Sequence, residues 1–361
     1  MARLFGQTYT REELLQRVGH IDQIAGVREI VLADGRGRGV RAARVSTGGG
    51  LAFTVLIDRA LDIYDAQIGG TPLGWTSPIG PAHPAYYEPQ GAGWLRTFSG
   101  GLLVTCGLAT MGAPGVDQGE PLPLHGRISN LPAERVHTGG YWDGDEYILF
   151  VEGQTRQAVV FGENLLLERR IETRLGATSF SITDTVTNEG FAPQPHMMLY
   201  HVNAGFPVVD EGSRLIAPTT RVTPRDADAE AGVGTHGVFS APVAGYAEQV
   251  FVHEMAAAGD GYVTAGLVNP SIGEGFGLAV RYDPSTLPVF NEWKMMGEGL
   301  YVVGMEPGTN DVRGRSFARA DGTLIELAPG ESRSYHVELH AITSENDIAA
   351  LEAEVEKLVS G

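Results

Sequence analysis

The sequence predicts an all-β protein, one large antiparallel β-sandwich with a short helix near each end, and three observations carry that reading. Apolar and polar residues alternate with a period of two through many short runs rich in Val, Ile, Thr and aromatics. The 49 glycines are about double the usual share of roughly 7% and follow no Gly-X-Y period, so they read as turns between strands. Strands do not alternate with helices, which argues against a parallel sheet and for two packed antiparallel layers. A length of 361 residues leans towards two domains as a prior, but β-rich domains often exceed it. Neither a linker nor an internal repeat divides the chain, so residues 1–361 are expected to form a single domain.

The elements follow in order. Residues 1–20 are expected to form a helical arm, because Thr10-Arg11-Glu12-Glu13 fits a capping box and Leu14, Leu15 and Val18 supply an apolar face behind it. From residue 27 the period becomes two, with strands expected over 27–33, 40–46, 51–57 and 62–68, punctuated by Asp34-Gly35 and Gly48-Gly49-Gly50. Gly35-Arg36-Gly37-Arg38-Gly39 has the spacing of a phosphate loop, but a strand follows where a helix would be needed, so it reads as a hairpin turn. Residues 70–101 lack periodicity and carry Trp75, His83, Tyr86, Tyr87 and Trp94; a loop this long is expected to serve a site or cover something. Strand signals resume over 101–106, 146–152, 157–161, 165–172 and 179–187. An apolar run, Met197 to Tyr200, then reads as a buried strand that stops at His201 before a Gly-Phe-Pro turn. Residues 210–248 are polar and read as loops, and further strands are expected over 250–253, 261–268, 277–282, 289–293, 300–304, 323–327 and 334–342. The tail 344–361 reads as a helix, with Ser344 as its cap and Ile348, Leu351, Val355 and Leu358 along one stripe.

A formal charge of −18 argues against nucleic acid or an anionic membrane surface as partner, since both would be repelled. No basic patch offsets it, and a neutral or polar small molecule suits the chain better. The single cysteine, Cys106, lies in an apolar run and excludes an intramolecular disulfide, as in a reducing compartment. The N-terminus lacks a basic segment followed by an apolar one, and no apolar run reaches ~18 residues. A cytoplasmic location is therefore expected.

Candidate chemistry rests on a few polar residues at strand ends. His125 sits in Pro123-Leu124-His125-Gly126-Arg127, where Gly126 lets another backbone or a ligand come close. His196 and His201 are five apart on one strand, so they face opposite sides and only one can reach a given cleft; His201, which ends the apolar run, is the better candidate. Glu306 closes the run Tyr301 to Met305 and precedes Pro307-Gly308. Asp58-Arg59-Ala60-Leu61-Asp62 ends another apolar strand, with a structural ion pair as its competing reading. His20, His137, His236 and His253 are expected at the surface, and His336 and His340 on one face of a strand.

Taken together, Arg59, His125-Gly126, His201 with Asn203, and Glu306-Pro307 form an ordered series over roughly residues 25–342. That series resembles the galactose mutarotase (aldose 1-epimerase) superfamily, and within it a branch known mainly as a domain of unknown function. The resemblance implies a single antiparallel β-sandwich that interconverts sugar anomers by general acid/base catalysis, with a small sugar or sugar derivative as partner and no cofactor. It implies His201 as general acid, Glu306 as general base, and Arg59, His125, Arg127, Asn203, Trp293 and Lys294 as sugar-binding residues. Trp75, Trp94 or Trp293 would stack on an apolar sugar face. The chain departs from well-studied mutarotases in having Tyr200, not asparagine, before the histidine. Two alternatives use the same residues. A divalent metal held by His125, His201 and Glu306 would make a metal-dependent isomerase, epimerase or lyase on a keto sugar. A non-catalytic sugar-binding module would use them for recognition alone.

Overall fold

The computed structural model describes residues 1–360, and two antiparallel sheets organise it, one of 12 strands and one of eight. The main path of the larger sheet runs Thr219–Pro224, Gln249–Met255, Val289–Gly297, Leu300–Gly308, Gln194–Ala204, Leu103–Leu108, Asp62–Ile68, Leu51–Leu56, Arg41–Ser46, Gly26–Val31. The smaller runs Glu134–Asp143, Glu146–Ala158, Asn164–Arg174, Ser179–Asn188, Ser332–Ile342, Phe276–Tyr282, Val263–Asn269, Arg214–Ile216. One apolar core lies between them. Met198, Tyr200 and Val202 enter it from the larger sheet, and Ile171, Ile182 and Val337 from the smaller. Alternation explains the assignment: in Ser179–Asn188, Phe180, Ile182 and Val186 are buried while the intervening Ser and Thr side chains are not.

A polar cluster bridges the sheets inside this core. Arg169 reaches across from the smaller sheet, forking onto Asp184 at 2.8 and 2.6 Å, and donates to Thr105 Oγ1 at 2.8 Å and Asp62 Oδ1 at 3.3 Å on the larger one. Tyr200 returns the link, its hydroxyl donating to Asp184 at 2.7 Å. Burial pushes the Asp62 carboxyl up to about 6, with the Arg169 charge and the Thr105 hydrogen bonds pulling the other way.

Several elements depart from the sequence reading. The N-terminal arm opens with a hairpin, Ala2–Leu4 with Gln7–Tyr9, and its helix spans only Arg11–Leu15, although Thr10 and Glu13 form the expected capping box. The expected strands at 146–152 and 157–161 are one strand, Glu146–Ala158, and Glu134–Asp143, rich in polar residues at its edge, was not legible. Within residues 210–248 lie Arg214–Ile216 and Thr219–Pro224, the outermost strands of the two sheets, and the helix Ala227–Gly232. Short edge strands with one open side carry little apolar alternation, so the segment reads as loop. Gly35–Gly37 turns between Gly26–Val31 and Arg41–Ser46, as the hairpin reading requires. The C-terminal helix spans Glu345–Val359 behind a Ser344 cap, with Ile348 and Leu351 buried. No helix among the described residues is long and apolar enough to cross a membrane.

If the Arg169 cluster joins the sheets, Arg169→Met should cost about 3–5 kcal/mol by leaving two buried carboxylates without their partner. Urea unfolding followed by tryptophan fluorescence measures this; an unchanged midpoint would remove the cluster from the account of stability.

Candidate active site

The Gln194–Ala204 strand separates two environments. Met198, Tyr200 and Val202 belong to the inter-sheet core, whereas Met197 and Leu199 join Trp94, Phe98, Val104 and Cys106 in a second apolar cluster on the outer face. His201 shares that outer face. The strand does not stop at His201 but runs on to Ala204, and the Glu306 strand likewise runs to Gly308. Both candidates therefore stand within paired strands rather than at their ends. The outer face is itself covered, so the strands have no need to end there. Residues 70–101 provide much of that cover: Trp75, Ser77, Trp94 and Phe98 line a cleft of about 710 Å³ whose walls also include His125, His201, Trp293 and Glu306.

Register brings the pair together. Val202 opposes Met305 and Asn203 opposes Gly304, which sets His201 across from Glu306. His201 Nε2 lies 3.2 Å from Glu306 Oε1, yet the approach lacks hydrogen-bond alignment, and Oε1 and His201 Nδ1 have no other partner in the protein. The Glu306 carboxylate folds over Gly304, where an added Cβ would sit 2.2 Å from Oε1. Asn203 donates to the His201 carbonyl at 3.0 Å and to the Gly101 carbonyl at 3.1 Å, so it braces the strand from beside the histidine.

His125 arrives from a loop pinned to the end of Leu103–Leu108. Its carbonyl accepts from Gly107 N–H at 3.1 Å, and Arg127 N–H donates to the Gly107 carbonyl at 3.0 Å. His125 and Gly126 both have positive φ, 54° and 77°. Glycine is required at 126, since a Cβ there would meet Gly107 O at 2.1 Å. The His125 ring tilts against Trp94 at 4.7 Å and meets His201 edge-on at 5.6 Å between centroids.

Burial dominates the electrostatics. It lowers His125 to about 4. It pushes His201 well below its ordinary value, helped by the neighbouring His125, and Glu306 well above the usual carboxylate range, helped by Glu248 and opposed by Arg225. Desolvation therefore disfavours the charged form of each group. Both directions favour a neutral pair, a carboxylic acid facing an imidazole, over an ion pair. Burial thus works against the protonated His201 that a general acid requires, and favours a proton on Glu306.

The other sequence-derived residues divide. Trp293 lines the cleft, with its Nε1–H donating to Glu248 at 2.8 Å. Lys294, its neighbour, points to the opposite face and donates to the carbonyls of Thr235, His236 and Val238, because successive strand residues alternate sides. Arg59 is buried outside the cleft lining, held on the Ala82 carbonyl at 3.0 Å and lowered to about 10 by burial, while Asp58 pairs with Arg41. Arg127 is exposed, its guanidinium 5.9 Å from the Tyr87 ring. As expected, His196 faces away from His201, bonded to Leu108 O and Tyr335 Oη, and Cys106 is a buried free thiol.

Two sets of residues escaped the sequence reading. Arg225 and Glu248 form an ion pair of 3.2 Å at the cleft wall; both stand in the segment that carried no periodic signal. His253 is buried rather than superficial, and with His236 and Glu292 it forms the one group of three among the described residues whose candidate ligand atoms all lie within 4.8 Å of one another. His125, His201 and Glu306 do not converge in that way, since His125 enters from a separate loop with its ring against Trp94.

Comparison with known proteins adds a family and a fold. Residues 37–341 match a family described as a domain of unknown function (DUF4432). Among solved structures, a provisionally named aldose 1-epimerase from Klebsiella pneumoniae superposes with a TM-score of 0.89 at 26% identity, covering 94% of this chain and 90% of that one. A galactose mutarotase-like protein from Clostridium acetobutylicum gives 0.62 at 14% identity over 88% and 98% of the two chains. Galactose 1-epimerase from Lactobacillus acidophilus gives 0.57 at 12% over 88% and 99%. Curated protein sequences give no match.

The lowered His125 value has a measurable consequence. Between about 6.5 and 4 the unfolded chain takes up a proton at this site and the folded protein does not, so stability falls as pH drops through that window. His125→Gln should therefore lose less stability than the parent chain between pH 7 and pH 4, by up to about 3 kcal/mol. Urea titrations at pH 7, 5.5 and 4 compare them; parallel declines would contradict a His125 that stays neutral in the fold.

Proposed function

This chain belongs to the DUF4432 family and has a galactose mutarotase-like fold, and on that premise we propose that it interconverts the anomers of a sugar at the His201–Glu306 pair. The reading rests on one observation: a histidine and a carboxyl group 3.2 Å apart inside a cleft walled by Trp75, Trp94, Phe98 and Trp293. Anomer exchange needs a base for the C1 hydroxyl proton and an acid for the ring oxygen. As one proton leaves and the other arrives, the bond from C1 to the ring oxygen breaks and the open-chain aldehyde forms. Rotation about C1–C2 and the reverse transfers close the ring on the other face. The pair begins and ends with one proton, so no further reactant is required.

His201 is the acid in this scheme and Glu306 the base. Burial penalises charge in the cleft and so favours the proton on Glu306. Sugar hydroxyls donating to the carboxylate reduce that penalty, which lets the proton pass to His201 and frees Glu306 to act. His125, beside His201 and low in basicity, orients the ring without competing for the proton. The tryptophans supply apolar faces against which the C–H side of a pyranose packs, and Asn203 acts through the His201 backbone rather than on the sugar.

Exchange between anomers of a panel of aldoses, followed by NMR in the presence of the purified protein, tests the proposal. His201→Asn and Glu306→Gln should each lower kcat/KM by about 10²–10⁴-fold. Sugar that binds without faster exchange than in buffer would mark the cleft as a recognition site and end the catalytic reading. The rate should also follow a broad bell in pH. On the acid side both members of the pair are protonated and no base remains; on the alkaline side neither is, and no acid remains. Because His201 is shifted down and Glu306 up, the plateau should span neutrality, and its limbs belong to the pair rather than to either residue. A rate that rises or falls steadily through neutral pH would not fit.

A further inference from the structure

On the face of Val289–Gly297 turned away from the cleft, three side chains converge that neither the apolar core nor the proposed chemistry uses. Glu292 is buried, and its Oε2 lies 2.9 Å from His236 Nδ1 and 3.1 Å from His253 Nε2. His253 comes from the adjoining strand Gln249–Met255 and is buried, whereas His236 comes from the turn after Val233–Thr235 and is partly open to solvent. The second carboxylate oxygen, Glu292 Oε1, is buried and has no partner in the protein. We propose that His236 Nδ1, His253 Nε2 and the Glu292 carboxylate bind one divalent transition-metal ion of the zinc type, with solvent on the His236 side completing the coordination.

The donor set is the first argument. Two imidazole nitrogens and a carboxylate suit zinc in a four-coordinate site with one open position. Bonds of about 2.0–2.2 Å in a tetrahedron set neighbouring ligand atoms roughly 3.3–3.6 Å apart. The present separations of 2.9 and 3.1 Å need open by only a few tenths of an ångström, within the reach of small side-chain rotations. An ion would also give the bare Oε1 a bonding partner, which the protein does not otherwise supply.

The second argument is orientation. A ligating histidine usually has its other nitrogen held by a polar group, and His253 Nδ1 lies 3.0 Å from Thr219 Oγ1. The backbone around His236 is held too, since Lys294 donates to the carbonyls of Thr235, His236 and Val238. That ammonium is the opposing charge on the same face. Three carbonyls fix it, and it moderates affinity without occupying the ligand positions. The ion would tie the turn carrying His236 to a strand whose other face bears Trp293. Its binding does not rest on the sugar reading.

The test uses the full chain, stripped with a chelator and titrated with zinc against a chromophoric competitor. One saturable equivalent is expected, with an X-ray absorption spectrum fitted by two imidazoles and oxygen ligands. The thermal midpoint should rise by about 3–5 °C when free zinc exceeds its dissociation constant about 100-fold. Glu292→Gln should weaken binding by at least about tenfold, and so should His236→Ala, whose partly exposed site makes it the safer variant for folding. His340→Ala removes a histidine paired with Glu338 on the other sheet and should leave affinity unchanged. Undiminished zinc in both site variants, loss of zinc in His340→Ala, or no saturable binding would each overturn the proposal.

Discussion

Between Gln194–Ala204 and Leu300–Gly308 the ladder pairs Val202 with Met305, and much of the molecule follows from that alignment. It sets His201 beside Glu306 on the outer face. On the inner face it delivers Tyr200 to Asp184, and so to the Arg169 cluster that joins the two sheets. A strand has a period of two, so a slip of one residue would send His201 into the core and Tyr200 into the cleft. The register that positions the candidate chemistry is thus held by the same burial that holds the sandwich together. Stability and site geometry cannot be varied independently here.

The depth of the cleft sets its electrostatics. In water a histidine and a glutamate this close would share a proton as an ion pair. Under the tryptophans, with burial raising Glu306 and lowering His201, the neutral form is favoured and the proton waits on the carboxyl. Such a pair is poised rather than inert, because each group lacks only a polar partner to ionise. On the proposed reading a sugar's hydroxyls would bring those partners, tying proton movement to occupancy of the cleft. Arg225 and Glu248 at the wall pull Glu306 in opposite senses, so the set point depends on groups outside the pair.

Strand alternation also explains why neighbouring residues serve unrelated ends. Trp293 faces the cleft, while Glu292 and Lys294 face the opposite side, one gathering two histidines and the other three carbonyls. The resemblance placed Trp293 and Lys294 together as sugar-binding residues, by the position of that stretch in the chain. In a sheet, adjacency in sequence means opposite directions in space.

What the sequence by itself determined is the architecture and part of the cleft lining. Period-two runs, abundant turn glycines and a capped tail are local signals, and each was written where it acts. His125, His201 and Glu306 were legible because titratable residues interrupt apolar runs, and the split between His196 and His201 followed from counting residues. Arg59 and Arg127 carried a similar local signal, yet one is buried away from the cleft and the other lies on the surface. The tertiary structure decided the rest. It extended the strands past His201 and Glu306 under an irregular cover, found the two edge strands in a polar segment, and grouped His236, His253 and Glu292 from separate places in the chain. It also set the direction in which burial pushes each member of the pair, because desolvation depends on everything packed around a group, whereas the sequence records only that a histidine and a carboxylate exist.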